Sequence, residues 1–196
     1  MGCKMMVVAH GKSEVIMAKN LASRMRLKIA VHSLDKGERA IKLEHIGDML
    51  KTYPFDSEAH LHAMYPELDY RQRENVRMPD LMIYPILDRD GDDVRCGSYA
   101  SGDMFRGSPF YGRIRPILNI DNLEAVIEAC GYEPVKDKVR YYERMFSKIN
   151  VTDFYVRIRE SPMTNLDEFL FDCMSCCPPF QGKIANGEIS GPLGFP

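Results

Sequence analysis

The stretch Leu81-Met-Ile-Tyr-Pro-Ile-Leu87 constrains this chain most, because it ends abruptly in Asp88, Asp90, Asp92 and Asp93, four aspartates within six residues. An apolar run of that length reads as a strand buried on both faces of a parallel α/β sheet. Open sheets of this kind gather their ligands at the carboxyl ends of the strands, so Asp88 and Asp90 are placed at a ligand edge. Carboxylates this close repel one another unless a cation lies between them. Hard oxygen donors select Mg²⁺, Mn²⁺ or Ca²⁺ over zinc. The run therefore predicts a site for Mg²⁺ or Mn²⁺ built on Asp88, Asp90 and Asp92.

The rest of the chain supplies strands and helices in alternation. Met5–Ala9 reads as a first strand, and Gly11-Lys12-Ser13 as a turn in which Ser13 is placed to cap a helix. Val15, Ile16, Ala18, Leu21, Ala22 and Met25 recur at helical spacing. A second strand is expected within 27–34, a turn at Asp35-Lys36-Gly37, and a second helix over about 38–51. Residues 52–79 read as an irregular insertion with a short helix around 57–65. The strand 81–87 contains Pro85, which cannot donate to a sheet ladder and so marks a bulge or a stretch without a neighbour on one side. Residues 89–112 read as a long glycine-punctuated loop. A fourth strand is expected over 114–120, then helices over 121–129, 135–149 and 165–177. Phe154, Val156 and Ile158 fit a strand or a helix. The tail from Pro178 reads as loosely ordered. This order predicts a three-layer α/β fold, a mostly parallel central sheet with flanking helices, over 1–132. A helical C-terminal extension, 133–196, packs on it within the same globule.

The turn after the first strand adds candidates. His10-Gly-Lys-Ser-Glu14 resembles the end of a phosphate loop, but a P-loop needs glycine where Met6 stands. A tight strand-to-helix turn remains, whose helix-terminus amides suit a phosphate. In a parallel sheet it opens on the same edge as Asp88. Glu14 then reads as a third carboxylate on the metal, or as a first-turn acid favoured by the helix dipole. Asp121 and Glu124 have the spacing of a capping box. The aspartate cluster does not fit an EF-hand, since Asp93 and Tyr99 stand where glycine and glutamate belong. Cys173, Cys176 and Cys177 lie on or beside one apolar helical stripe and read as buried thiols rather than zinc ligands. His32, His45, His60 and His62 show no ligand spacing, and His60 and His62 fall in the insertion.

Composition narrows the function classes. The chain has 196 residues, 45% hydrophobic and 28% charged, with a formal net charge of −2. That excludes a global basic field for nucleic acid. Local clusters remain at Lys19, Arg24, Arg26 and Lys28, at Arg106, Arg113 and Arg115, and at Lys136, Lys138, Arg140, Arg144 and Lys148. They serve as solvated helix faces or as a phosphate track. No apolar run approaches the roughly 20 residues that span a bilayer. The apolar part of the first ten residues is too short for a signal peptide, and Met6 breaks the myristoylation pattern that Gly2 opens. Six cysteines without scaffold spacing point to a reduced, cytoplasmic setting. A homo-oligomer stays open.

The order of these pieces resembles the Toprim fold family, found in primases, topoisomerases, overcoming-lysogenization-defect (OLD) nucleases and RloB-type phage-defence proteins. That family places an acid after its first strand and an Asp-x-Asp pair after its third. Asp88-Arg-Asp90 matches the pair, whereas Val7-Val-Ala-His10-Gly11 carries histidine where the family has glutamate, with Glu14 one helical turn later. The resemblance implies a Mg²⁺-dependent, nuclease-like protein acting on phosphodiesters, with nucleic acid or a nucleotide as partner and phage defence as a setting. Asp88, Asp90, Asp92 and Glu14 would hold the ion. Lys12, Arg89, Arg113 or Arg115 would offset phosphate charge, and His10 or Glu14 would act as general base. Leu87-Asp-Arg-Asp-Gly91 is also similar to the first motif of haloacid-dehalogenase-type phosphatases, with Asp88 as nucleophile and Asp90 as acid/base. A third alternative is a Toprim-like scaffold without turnover that binds a nucleotide or a partner.

Overall fold

The computed structural model describes residues 4–68, 81–89, 93–133 and 138–193. Among them, strands β1 (Lys4–Ala9), β2 (Ile29–His32), β3 (Leu81–Asp88) and β4 (Ile117–Asn119) form a sheet in the order β2-β1-β3-β4, each neighbouring pair parallel. Helices α1 (Lys12–Met25), α2 (Leu43–Met49), α3 (Glu58–Met64), α4 (Asp93–Ala100) and α5 (Leu123–Ala129) connect or follow the strands. Then come α6 (Lys138–Lys148), α7 (Val151–Arg159), α8 (Leu166–Ser175) and α9 (Pro178–Ala185). No described helix is long and apolar enough to cross a membrane.

The two-residue period of a strand sorts its side chains into two cores. Met5, Val7 and Ala9 of β1 point with Tyr84, Ile86 and Ile117 into a layer built by α1 and α5 to α8. Met6 and Val8 point the other way, with Ile83, Leu87 and Leu118, onto α2, α3 and α4. The result is the expected three-layer α/β sandwich with a parallel sheet in the middle. α6 packs along α1, and α8 lies against β4 and α7. The chain moves from β1 to β2 on one side and to β3 and β4 on the other. The order therefore reverses between β1 and β3, and the crevice beyond their carboxyl ends is where such sheets bind ligands.

Several elements differ from the sequence expectation. The loop expected over 89–112 contains α4, which is anchored by Tyr99: its buried hydroxyl donates to the carbonyls of Pro85 (2.6 Å) and Ile117 (3.1 Å). Residues 151–159, which fit either element in sequence, form a helix. Phe154, Tyr155 and Ile158 are buried on one side while Val156 is 44% exposed, and Asn150 caps the helix by accepting from the amides of Thr152 and Asp153. The tail is not loose at its start, because Pro178 and Pro179 open α9 at positions where proline suits a first helical turn. Gly11, not Ser13, is the N-cap of α1.

Pro85 is accommodated by its neighbour's gap. Ile83 exchanges backbone hydrogen bonds with Arg113 and Arg115, so by strand parity the proline nitrogen, two residues on, faces the same side. There the partner chain is Pro116, between the bridge at Ile114 and the start of β4. Cys173 and Cys177 are buried free thiols as expected, but Cys176 is disulfide-bonded and is no third buried thiol.

Candidate active site

The two strands beyond β1, β3 and β4, end at the carboxyl edge of the sheet with polar residues. β3 closes with Ile86-Leu-Asp88 and β4 with Ile117-Leu-Asn119, paired residue for residue. β1 runs on into His10, whose amide donates to Ile86 and whose carbonyl accepts from Ile41. Parity puts Asp88 on the face that carries Tyr84 and Ile86, under α1 and α5. It is 8% exposed. The Asn119 side-chain amide donates to Asp88 Oδ1 (3.0 Å), while its oxygen accepts from Thr164 Oγ1 (2.8 Å). Thr164 in turn accepts from the Leu166 amide (3.1 Å). This chain of bonds ties Asp88 to the start of α8 and fixes its orientation.

Glu14 comes from the first turn of α1 and is 2% exposed. Its Oε2 accepts from the Gly11 amide at 2.9 Å, half of a capping box. Burial, and next the charge of Asp88, push the Glu14 carboxyl up to about 8, with Glu124 adding to the repulsion. Glu14 and Asp88, distant in sequence, thus act on each other at one edge. His10 lies beside them, with Nε2 3.8 Å from Asp88 Oδ2, too long for a hydrogen bond. Its buried Nδ1 has no partner among the described residues.

Glu124 is not the end of a capping box. Asn122 caps α5 by accepting from the Ala125 amide at 2.9 Å, and Asp121 sits at φ +67° in the turn before it. The Glu124 carboxylate instead accepts from Ser13 Oγ at 2.8 Å, so both residues join the rim of the edge. Tyr142 of α6 is fully buried and its hydroxyl has no partner among the described residues. Burial and the nearby Glu124 and Glu14 carboxylates hold that phenol well above its usual range. Asn119, Thr164 and Tyr142 carry no motif. The one signal for Asn119 is that Ile-Leu-Asn repeats the Ile-Leu-Asp ending of β3.

The predicted phosphate ligands divide. Lys12 stands at the α1 N-terminus, its ammonium paired with Glu38. Arg89 follows Asp88, and its amide donates to Asn119 at 2.9 Å. Arg113 and Arg115 are not brought to this edge. They flank Ile83, five residues up β3, about 16 Å away at strand rise. Arg113 pairs with Glu58 at 2.5 Å and Arg115 with Asp172 at 2.8 Å. Asp90 and Asp92 lie outside the described residues.

Among the described residues no three His, Cys, Asp or Glu side chains are grouped to hold a metal. Two carboxylates nonetheless suit Mg²⁺, which binds through one or two of them and completes its shell with water and substrate phosphate. The burial of Glu14 and its repulsion from Asp88 at this edge fit such an ion. The chain matches no family model, no curated protein and no solved structure.

Proposed function

We propose that the β1–β3 edge is the centre of a Mg²⁺- or Mn²⁺-dependent, nuclease-like protein that acts on phosphodiesters and is related in architecture to the Toprim family. One observation carries the reading. Two buried carboxylates, Asp88 at the end of β3 and Glu14 one turn into α1, repel each other at the switch point of a parallel sheet. A buried like-charged pair is costly unless function keeps it, and a divalent ion between the two supplies a reason.

In this reading Asp88 and Glu14 hold the ion, and Asp90 and Asp92, which follow in sequence, complete or orient its shell. The bound ion supplies Lewis acidity toward a phosphoryl oxygen. Glu14 stands where the family's glutamate, replaced by His10 in this chain, would act. His10, whose Nδ1 has no partner among the described residues, takes the proton of the attacking water. The first amides of α1, with Lys12 and Arg89 at the rim, receive the phosphate.

A second reading, a scaffold without turnover, is favoured by the hydrogen bond that ties Glu14 to Gly11. Mn²⁺ binding by electron paramagnetic resonance, with turnover of bis(p-nitrophenyl) phosphate and of the monoester p-nitrophenyl phosphate, separates the readings. Diester turnover lost together with Mn²⁺ binding in Asp88→Asn supports the proposal. Monoester turnover alone supports the phosphatase alternative, and Mn²⁺ binding without either turnover supports the scaffold. Absence of Mn²⁺ binding to the wild-type protein at millimolar ion overturns the metal site.

A further inference from the structure

Away from this edge, beyond the far end of α5, the loop after α5 and the outer side of α6 enclose a cleft of about 490 Å³, within the range of small-molecule sites. Its apolar wall is Tyr132 and Tyr141 with Met145 and Ile149. Tyr132 is braced from behind: its ring meets Phe154 edge-on at 6.0 Å, and the Arg157 guanidinium lies 5.5 Å from the ring centroid. The Tyr132 hydroxyl is buried with no partner among the described residues, a state that costs free energy unless something pairs with it.

The rim carries charge. Arg144 and Lys148 are exposed and four residues apart on α6, about 6 Å along its axis. Neither makes an ion pair among the described residues, although the chain has 28 acids for 26 Lys and Arg. Glu133, also in the wall, places one carboxylate beside Tyr141. A purely apolar ligand leaves two cations unmatched, and a simple anion leaves two aromatic rings unused. A planar heteroaromatic ring with an anionic tail uses all of them.

We propose that this cleft binds a nucleobase bearing a phosphate group, the base against Tyr132 and Tyr141 and the phosphate on Arg144 and Lys148. Stacking on tyrosine is tolerant of base identity. Glu133 adds a preference for a base with an exocyclic amino group, which donates to its carboxylate. The same chemistry comes from a free nucleotide or from one residue of a single strand. The inference uses no residue of the β1–β3 edge and stands whether or not that edge binds a metal.

The test is fluorescence anisotropy on the full chain in EDTA, so that metal at the other edge contributes nothing. The probes are the four nucleoside 5′-monophosphates carrying a ribose fluorophore, and a fluorescein-labelled mixed-sequence single strand. Arg144→Glu with Lys148→Glu is expected to weaken binding at least tenfold, and Tyr141→Ala several-fold. Lys42→Glu with Lys51→Glu, the same charge change on the opposite layer, is expected to leave it within twofold. Far-ultraviolet circular dichroism checks that each variant folds. Saturation by the monophosphates alone identifies a free nucleotide as the ligand, and tighter binding of the strand identifies nucleic acid. No saturation by any probe at millimolar concentration, or equal loss in the two charge-reversed pairs, overturns the proposal.

Discussion

Glu14 sits where its neutral form is favoured. Burial and the Asp88 charge raise its carboxyl from an ordinary 4.5 to about 8, so between those values the folded, metal-free protein holds a proton that the unfolded chain has released. Where the native state binds more protons, stability falls as pH rises. Metal-free protein should therefore lose stability from pH 4.5 to 8, by at most about 1.4 kcal/mol per pH unit from this group. Urea titrations across that range measure it. Glu14→Gln should flatten the slope, and saturating Mg²⁺ should oppose it by favouring the ionised carboxylate. A Glu14→Gln protein with an unchanged slope removes Glu14 as the source. Asn119 makes a second prediction at this scale. It is fully buried between Asp88 and Thr164, so Asn119→Ala leaves both neighbours short of a partner. A loss of about 1–3 kcal/mol is expected, together with weaker Mn²⁺ binding because Asp88 is no longer oriented. Denaturant melts and ion titration read the two effects separately.

At the scale of elements, the approach of the residue 35–37 turn to α1 decides where the site's first helix begins. Gly37 has φ +92°, and a Cβ on it would lie 2.8 Å from Lys12 Cα and 3.0 Å from the Lys12 nitrogen. Both atoms are backbone, so the clash is relieved only by moving the α1 N-terminus. Gly37→Ala should cost about 2–4 kcal/mol in strain and overpacking, a fall of roughly 5–15 °C in Tm. A melt within a degree or two of wild type would show that the turn is not held against α1. The elements also show what the sequence made legible. β1 and β3 were readable because both faces of each are buried, which writes an unbroken apolar run, and Asp88 was readable because charge ends that run. α4 is hidden because Tyr99, its one buried side chain among the described residues, ties it down through a hydroxyl that no apolar spacing marks, and α7 is undecided in sequence because Phe154, Val156 and Ile158 fit a strand as well as a helix. Glu124 matched a capping pattern and joined Ser13 instead, since which residue caps a helix depends on the backbone turn at Asp121, not on spacing. The convergence of Glu14 on Asp88 was legible only through the parallel sheet, whereas Asn119, Thr164 and Tyr142 become visible as neighbours only once strands and helices pack.

For the molecule as a whole, the two cores are unequal in their debts to the C-terminal helices. The layer over α2, α3 and α4 closes on residues that precede 119. The layer on the other face includes Phe154, Tyr155, Ile158, Leu166, Phe169, Leu170, Cys173 and Met174, from α7 and α8. Tyr84 in the middle of β3 meets Phe169 at 5.1 Å and donates to Asp172 at 2.6 Å, and the Leu118 amide of β4 donates to Asn165 at 2.9 Å. The helical extension thus supplies half of one core, and it also supplies Thr164, the residue that anchors the Asn119–Asp88 chain. Buried aliphatic and aromatic side chains contribute about 1.5–3 kcal/mol each, so losing eight such partners removes about 12–24 kcal/mol, enough to cancel the 5–15 kcal/mol by which a domain is stable. A chain ending at residue 150 should therefore lack a cooperative thermal transition, bind the hydrophobic dye ANS and have no ordered Mn²⁺ site. Differential scanning calorimetry and dye fluorescence check this. A cooperative transition in the truncated chain would mean that the sheet and its first six helices form an independent domain to which the remaining helices are merely attached.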